Sequence, residues 1–185
     1  AQCILGNHEL NLLIHSKREG NGWFFGSPHE DDHKPFASHP ASVHDQHWIL
    51  DFLSHLPLVL TSAHLKIVHA CWDQQAIDRL HTVHMASLKE MYDAFNQHTE
   101  AYIQHSGIAE RAQQEQCQFT TQLKNPNTAP PFLNHLAQRD LLEQMQNPIK
   151  VLTSGAEVLA QQPFYAGGKW RMLDRLAWWA HYQDD

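Results

Sequence analysis

The sequence predicts a mixed α/β fold in one domain, and three observations carry that reading. Two short apolar runs, residues 1–5 and 66–72, have the length of buried strands, and each ends in a polar group. Between and after them, apolar residues recur at helical spacing. The 185 residues are 42% hydrophobic, enough for one core, and neither a linker nor an internal repeat divides them.

Taken in order, residues 1–5 read as a strand and 9–14 as the start of a helix. Residues 16–42 form a long loop rich in Gly, Pro, Asp and His, which Trp23, Phe24 and Phe25 can anchor to the body. Trp48, Ile49, Phe52, Leu53 and Leu56 place a helix over 44–55, stopped by Pro57. A strand follows at 58–61 and a second buried-type strand at 66–72. From 73 to about 122 the chain is polar and helical, with Met85, Leu88, Tyr92, Phe95 and Tyr102 as its expected core stripe. The Asn- and Pro-rich segment 125–131 breaks it. Residues 132–146 then form a helix carrying Leu133, Leu136, Leu141 and Met145. Residues 149–153 read as a strand and Gly167-Gly168 as a turn. The final segment sets Arg171 and Arg175 among three tryptophans.

The formal net charge is -7 and no run of Lys or Arg occurs, which argues against a nucleic-acid or membrane-surface face. No apolar run approaches the ~18 residues of a membrane span, and no signal-peptide pattern is present. The three cysteines are widely spaced with no CxxC, as expected for a reducing cytoplasm. The sixteen histidines read mainly as solvated imidazoles. His44 with His47, and His81 with His84, lack a third ligand at sensible spacing and read as surface pairs.

The chemistry concentrates in Gly6-Asn7-His8-Glu9. A strand running into a turn presents side chains where open α/β folds bind ligands. Gly6 permits close approach, and Asn7 offers a neutral oxygen suited to a divalent metal. An imidazole such as His8 can move protons near neutral pH. Glu9 can orient His8 or favour the helix start. The same four residues also suit a plain polar turn with Asn7 as the helix cap. His69, ending the 66–72 strand, fits either a metal ligand or a strand-end histidine bonded to backbone. Cys71 reads as a small buried residue, and Asp73 as a site rim or a helix cap.

The pairing of "LGNHE" with "VHACW" about sixty residues later resembles the calcineurin-like metallophosphoesterase superfamily, in its bacterial phosphoprotein-phosphatase and diadenosine-tetraphosphatase branch. The apolar helix before "LPL" and the terminal "RMLDRLAWW" are similar to the same group. The resemblance implies a two-sheet sandwich flanked by helices, with 73–146 as a helical insertion. It implies two divalent ions (Mn, Fe, Zn or Mg) that clamp a phosphoester. Asn7 and His69 match ligands of one ion, and His8 matches the group that protonates the leaving oxygen. Arg171 and Arg175 are the candidates for the substrate phosphate. Substrates would be phosphorylated small molecules, nucleotides or phosphoproteins. The family's DxH and GDxxDR motifs do not occur before Gly6, nor does GHxH follow Trp179. The expectation is therefore a partial domain, residues 1–185, inactive alone. The rival readings are a non-catalytic His-rich protein that binds metal or a partner, and a degenerate phosphoesterase kept as a scaffold.

Overall fold

Leu5 is fully buried, and its N–H donates to the Pro57 carbonyl at 2.9 Å. That bond joins the chain's first segment to Pro57 in the computed structural model, which describes residues 2–18, 20–26 and 39–181. The strand expected over residues 1–5 does not form in residues 2–5, and residue 1 lies outside the described residues. One backbone bond to Pro57 does not make a ladder, so burial of Leu5 holds the segment instead.

Helix α1 (Asn7–Leu13) starts two residues before the expected 9–14, with Gly6 rather than Asn7 at its N-cap. Its Leu10, Leu12 and Leu13 are buried. The aromatic trio forms one helical turn, α2 (Gly22–Phe25), with Phe24 2% exposed in the same core. The trio therefore anchors the loop as its composition suggested; residues 27–38 of that loop lie outside the described residues. Helix α3 (Val43–Ser54) opens on a capping box, with Asp45 N–H donating to Ser42 Oγ and Ser42 N–H donating to the Asp45 carboxylate. Leu53 joins Leu5, Leu10, Phe24 and Ile149 in the first core cluster.

Strands β1 (Val59–Thr61) and β2 (Lys66–Val68) pair antiparallel as a small hairpin. The second is shorter and more exposed than the buried 66–72 strand expected, with Lys66 and Ile67 on the surface. A two-stranded ribbon leaves one face to solvent. Asp73 accepts from Ala76 N–H at 2.9 Å, so it caps α4 (Gln74–His81).

Four helices follow: α5 (Leu88–His105), α6 (Ile108–Gln118), α7 (Thr120–Lys124) and α8 (Asn134–Met145). No strand interrupts residues 73–146. The expected stripe is corrected, because Met85 lies outside any helix at 43% exposure and Tyr102 is 55% exposed. The face of α5 that packs is marked by Thr99 and Ile103. Thr99 folds its hydroxyl onto the Phe95 carbonyl at 2.8 Å, which lets a polar residue sit inside.

Helices α6 and α8 are joined by one carboxylate. Glu115 accepts from the backbone N–H groups of His135 and Leu136 at 3.0 and 2.9 Å, and lies 2.9 Å from His135 Nδ1. Leu133, at the N-cap of α8, has no side-chain cap, so Glu115 serves the free N–H groups from a neighbouring helix. Burial pushes the Glu115 pKa up, but the hydrogen bonds from Leu136 and His135 outweigh it and leave the pKa lowered. A carboxyl lowered in the folded state contributes fully above its unfolded pKa of ~4.3, and that contribution is lost as pH falls through the folded value. Glu115→Gln is therefore expected to lose about 1–3 kcal/mol at neutral pH and to show a flatter acid limb of stability below about pH 4. Urea melts of both proteins across pH 3–7 check this; parallel acid limbs would refute it.

Residues 149–153 are not the strand expected. They lie in α9 (Pro148–Ser154), almost wholly buried. Asn147 caps it and Pro148 occupies the first turn, two helix-start signals that outweigh the β-branched content. Strands β3 (Glu157–Ala166) and β4 (Lys169–Arg175) pair antiparallel through the Gly167-Gly168 turn. Their register shifts between Leu159 and Phe164, where Pro163 cannot donate to a ladder. A 3₁₀ turn, Trp178–His181, ends the described chain, with Trp178 Nε1–H donating to the Ala70 carbonyl at 2.7 Å.

The fold is thus mixed α/β, 52% helical, with two separate two-stranded antiparallel sheets among the described residues. No helix among them is long and apolar enough to cross a membrane.

Candidate functional site

The first turn of α1 meets the end of β2. Gly6 is buried, Asn7 and Glu9 are half-buried, and His8 is exposed. His69, immediately after β2, is exposed but lies against this turn. Its Nε2 is 3.1 Å from Asn7 Oδ1, across 62 residues of sequence. The amide oxygen is a pure acceptor. Two lone-pair donors do not face each other at that distance unabetted, so a proton on Nε2 or a cation must lie between them. In the metal-free form Nε2–H donates to Asn7 Oδ1. Bound to one cation at ~2.1 Å and at about a right angle, two such atoms are separated by about 3 Å. The 3.1 Å spacing is thus that of an ordinary hydrogen bond and is also close to that of two adjacent ligands on one ion.

Gly6 makes the approach possible. A methyl group there would lie 2.7 Å from Glu9 Oε2 and 2.8 and 2.9 Å from His69 Cε1 and Nδ1. Real Cβ contacts are not that short, so the His69 ring would have to move. Gly6→Ala is expected to reduce stability by about 1 kcal/mol or less, as at other N-caps. Divalent-metal affinity should fall about tenfold or more through displacement of the ligand. Calorimetry with Mn²⁺ beside a thermal melt checks this, and equal losses in both would mean that the glycine serves the fold alone.

What holds His69 is also specific. Ala70 N–H donates to Leu152 O at 3.0 Å, and Ala70 O accepts from the Trp178 indole. The residue after the candidate ligand is thus pinned from α9 and from the C-terminal turn. Cys71 is 2% exposed, and burial pushes its thiol pKa up, so it is packing rather than a nucleophile.

Asn7 also lines a cleft of about 560 Å³ that runs to Arg171 on β4. Arg171 Nε–H donates to the Ala166 carbonyl at 3.2 Å, which fixes the guanidinium beside the hairpin turn. Arg175 does not line this cleft among the described residues. Its Nη1 lies 3.1 Å from where a Gly155 side chain would begin, and Ala70 Cβ is 3.9 Å from the same point. Gly155 has φ +100°, so the position excludes a side chain twice over, by conformation and by space. Arg175 therefore packs near the residue after His69, while Arg171 belongs to the cleft. The two arginines, four apart, lie on a strand and not on a helix.

The sequence reading did not reach the other cleft residues. Arg18, Arg139, Lys150 and Lys169 line it from the loop after α1, α8, α9 and β4, as do Asp140, Glu143 and Glu157. No motif spacing marks them; only the tertiary fold brings them together.

Among the described residues no group of three or more His, Cys, Asp or Glu is placed to hold a metal ion. The pairs His44/His47 and His81/His84 accordingly gain no further ligand. No protein-family model, curated protein or solved structure matches the chain.

Proposed function

We propose that the chain carries part of a metallophosphoesterase domain, which hydrolyses phosphoric esters at a dinuclear metal centre. The single observation behind this is the contact between Asn7 Oδ1 and His69 Nε2, two donors from distant motifs at a spacing suited to one ion. Two divalent ions of Mn, Fe, Zn or Mg would supply Lewis-acid polarisation of the ester and an activated water for in-line attack. Ligand type alone does not choose among these metals.

The chain's own residues then have separate tasks. Asn7 and His69 would hold one ion; the described residues offer no ligand set of three or more for the other. His69 takes the tautomer with its proton on Nδ1, freeing the Nε2 lone pair. His8, exposed on the first turn of α1, delivers a proton to the leaving alkoxide. Arg171 meets the substrate phosphate in the cleft, and Arg175 stands nearer the His69 side. The two small sheets would extend into the two-sheet sandwich once the remaining strands pair with their free edges, and α4 to α8 would form the helical insertion over it. The 185 residues alone are then inactive, and the whole protein acts in the cytoplasm on a phosphorylated small molecule, nucleotide or phosphoprotein.

The test uses the full reading frame that contains this sequence. Metal-dependent hydrolysis of p-nitrophenyl phosphate or of a dinucleotide is expected, abolished by chelation. No hydrolysis with any of the four metals would refute the reading. Metal binding spread over many histidines and indifferent to Asn7 would instead favour a His-rich binding protein.

A further inference from the structure

The cleft that begins at Asn7 is cationic in a chain of net charge -7. Five of the thirteen Lys and Arg residues line it: Arg18, Arg139, Lys150, Lys169 and Arg171. Three carboxylates share the space, but they are unequally placed. Arg139 is paired with Asp140 at 2.6 Å and lies 3.7 Å from Glu143, so these three largely satisfy one another. Arg18, Lys150, Lys169 and Arg171 have no carboxylate within ion-pair distance among the described residues. Glu157 is the remaining acid; burial pushes its pKa up, and the charges of Arg175, Arg171 and Lys169 oppose that, so it faces the Arg171 side of the cleft.

Two of the unpaired cations are positioned by the fold. Arg18 is exposed, yet its backbone N–H donates to Asn21 Oδ1 at 2.9 Å, and Asn21 is 4% exposed. The Asn21 amide in turn donates to Ser16 O at 3.1 Å, closing a tight turn that fixes the backbone at residue 18, and Arg18 Nε–H donates to Ser16 Oγ at 3.2 Å. Lys150 is half-buried in α9, with Nζ donating to the Glu143 carbonyl at 2.9 Å and lying 5.6 Å from the centre of the Tyr92 ring. Burial lowers its pKa, Glu143 opposes that, and the charge of Arg18 lowers it further, as expected of two cations sharing one space. Neither Arg18 nor Lys150 has an ion pair of its own among the described residues, and two like charges held close together favour an added anion.

We infer that Arg18 and Lys150 form a second anion subsite in the cleft, distinct from the Asn7–His69 position. It would receive a second phosphate group of a small ligand whose first phosphate is met by Arg171. This rests on the proposed phosphoesterase reading for the role of the first phosphate, but not for the subsite itself. An ammonium and a guanidinium from different walls suit a multiply charged oxyanion, since each keeps N–H donors beyond those given to the Glu143 carbonyl and to Ser16 Oγ.

The experiment is calorimetry of the 185-residue chain in metal-free buffer with tripolyphosphate and with inorganic phosphate as probes. Tripolyphosphate is expected to bind about tenfold tighter or more, with log K falling as log salt rises. Arg18→Gln and Lys150→Gln should each weaken it about five- to tenfold, and Lys150→Arg should restore most of the loss. Lys124→Gln, an exposed cation outside the cleft, should change nothing. Because Arg18 is exposed, its variant remains informative even if Lys150→Gln does not fold. Equal binding of the two probes, no binding of either, or equal losses for Lys124→Gln and Arg18→Gln would overturn the subsite. The titration contains no divalent ion, so it does not read the Asn7–His69 position. Failure of the subsite and failure of the metal reading are therefore read in separate measurements.

Discussion

Asn7→Ala and His69→Ala are each expected to lower metal-dependent phosphoester hydrolysis by about a thousandfold in the full reading frame. Removing one donor from a two-ligand contribution loosens an ion whose charge stabilisation is worth several kcal/mol, and about 4 kcal/mol corresponds to that factor. The two variants should be non-additive, because either one already breaks the 3.1 Å contact. His8→Gln should behave differently. It removes a proton donor but no ligand, so kcat should fall about a hundredfold or more with metal affinity nearly unchanged. Steady-state kinetics against metal concentration separates the two patterns. Should His44→Ala or His47→Ala on α3 cost as much as His69→Ala, the centre would not lie where Asn7 and His69 meet.

The second large effect concerns the fold that holds the site. Asn147 is fully buried, and its side chain has three partners. Its oxygen accepts from Ile149 N–H at 3.0 Å, and its amide donates to Tyr92 O at 3.1 Å and to Asn96 Oδ1 at 3.0 Å. One residue thus caps α9 and ties it to α5. Asn147→Ala leaves the Ile149 N–H without its cap, withdraws the donor from Tyr92 O and Asn96 Oδ1 and opens a small void, so a loss of about 2–4 kcal/mol is expected. Asn147→Asp keeps the capping oxygen but removes both donors and buries a charge, and should be no better. Urea unfolding with an unchanged m-value reads this directly. A loss below 1 kcal/mol for both variants would show that water replaces the missing bonds. Since Leu152 of α9 holds Ala70, the same variants should also weaken the His69 position before they unfold the chain.

How much of this was legible in the sequence differs by element. Helix α3 was readable because its apolar spacing and Pro57 agree, while the Ser42 and Asp45 capping box that fixes its start at Val43 went unread. The Gly167-Gly168 turn was readable because its chemistry is local. The segment 149–153 was misread, since a short apolar run fits strand or buried helix equally and the decisive signal, Asn147-Pro148, lies just before it. Residues 2–5 were misread because a strand needs a partner, which composition does not reveal, and only Leu5 of that run is buried. In the α5 stripe, helical spacing named Tyr102, whereas packing selected Thr99 and Ile103. At the site, Asn7 and His69 could be singled out by motif, and the structure sets them in contact. Arg18 and Lys150 could not, because nothing local distinguishes a cleft-lining cation from a solvated one.

The 3.1 Å contact joins residues 62 apart, and that separation has its own thermodynamic consequence. Closing a loop of this length costs about 3–4 kcal/mol of chain entropy. In the metal-free chain a single hydrogen bond between half-open side chains does little against it, so the closure is borne by the core around Leu5, Ile149 and Leu152. An ion gripping both ends would act as a clip that cross-links the 7–69 loop, much as a disulfide does. Its grip would appear as a rise in melting temperature that grows with the logarithm of metal concentration. That signal needs no substrate and no turnover, and it would vanish when either end of the loop is cut back to alanine.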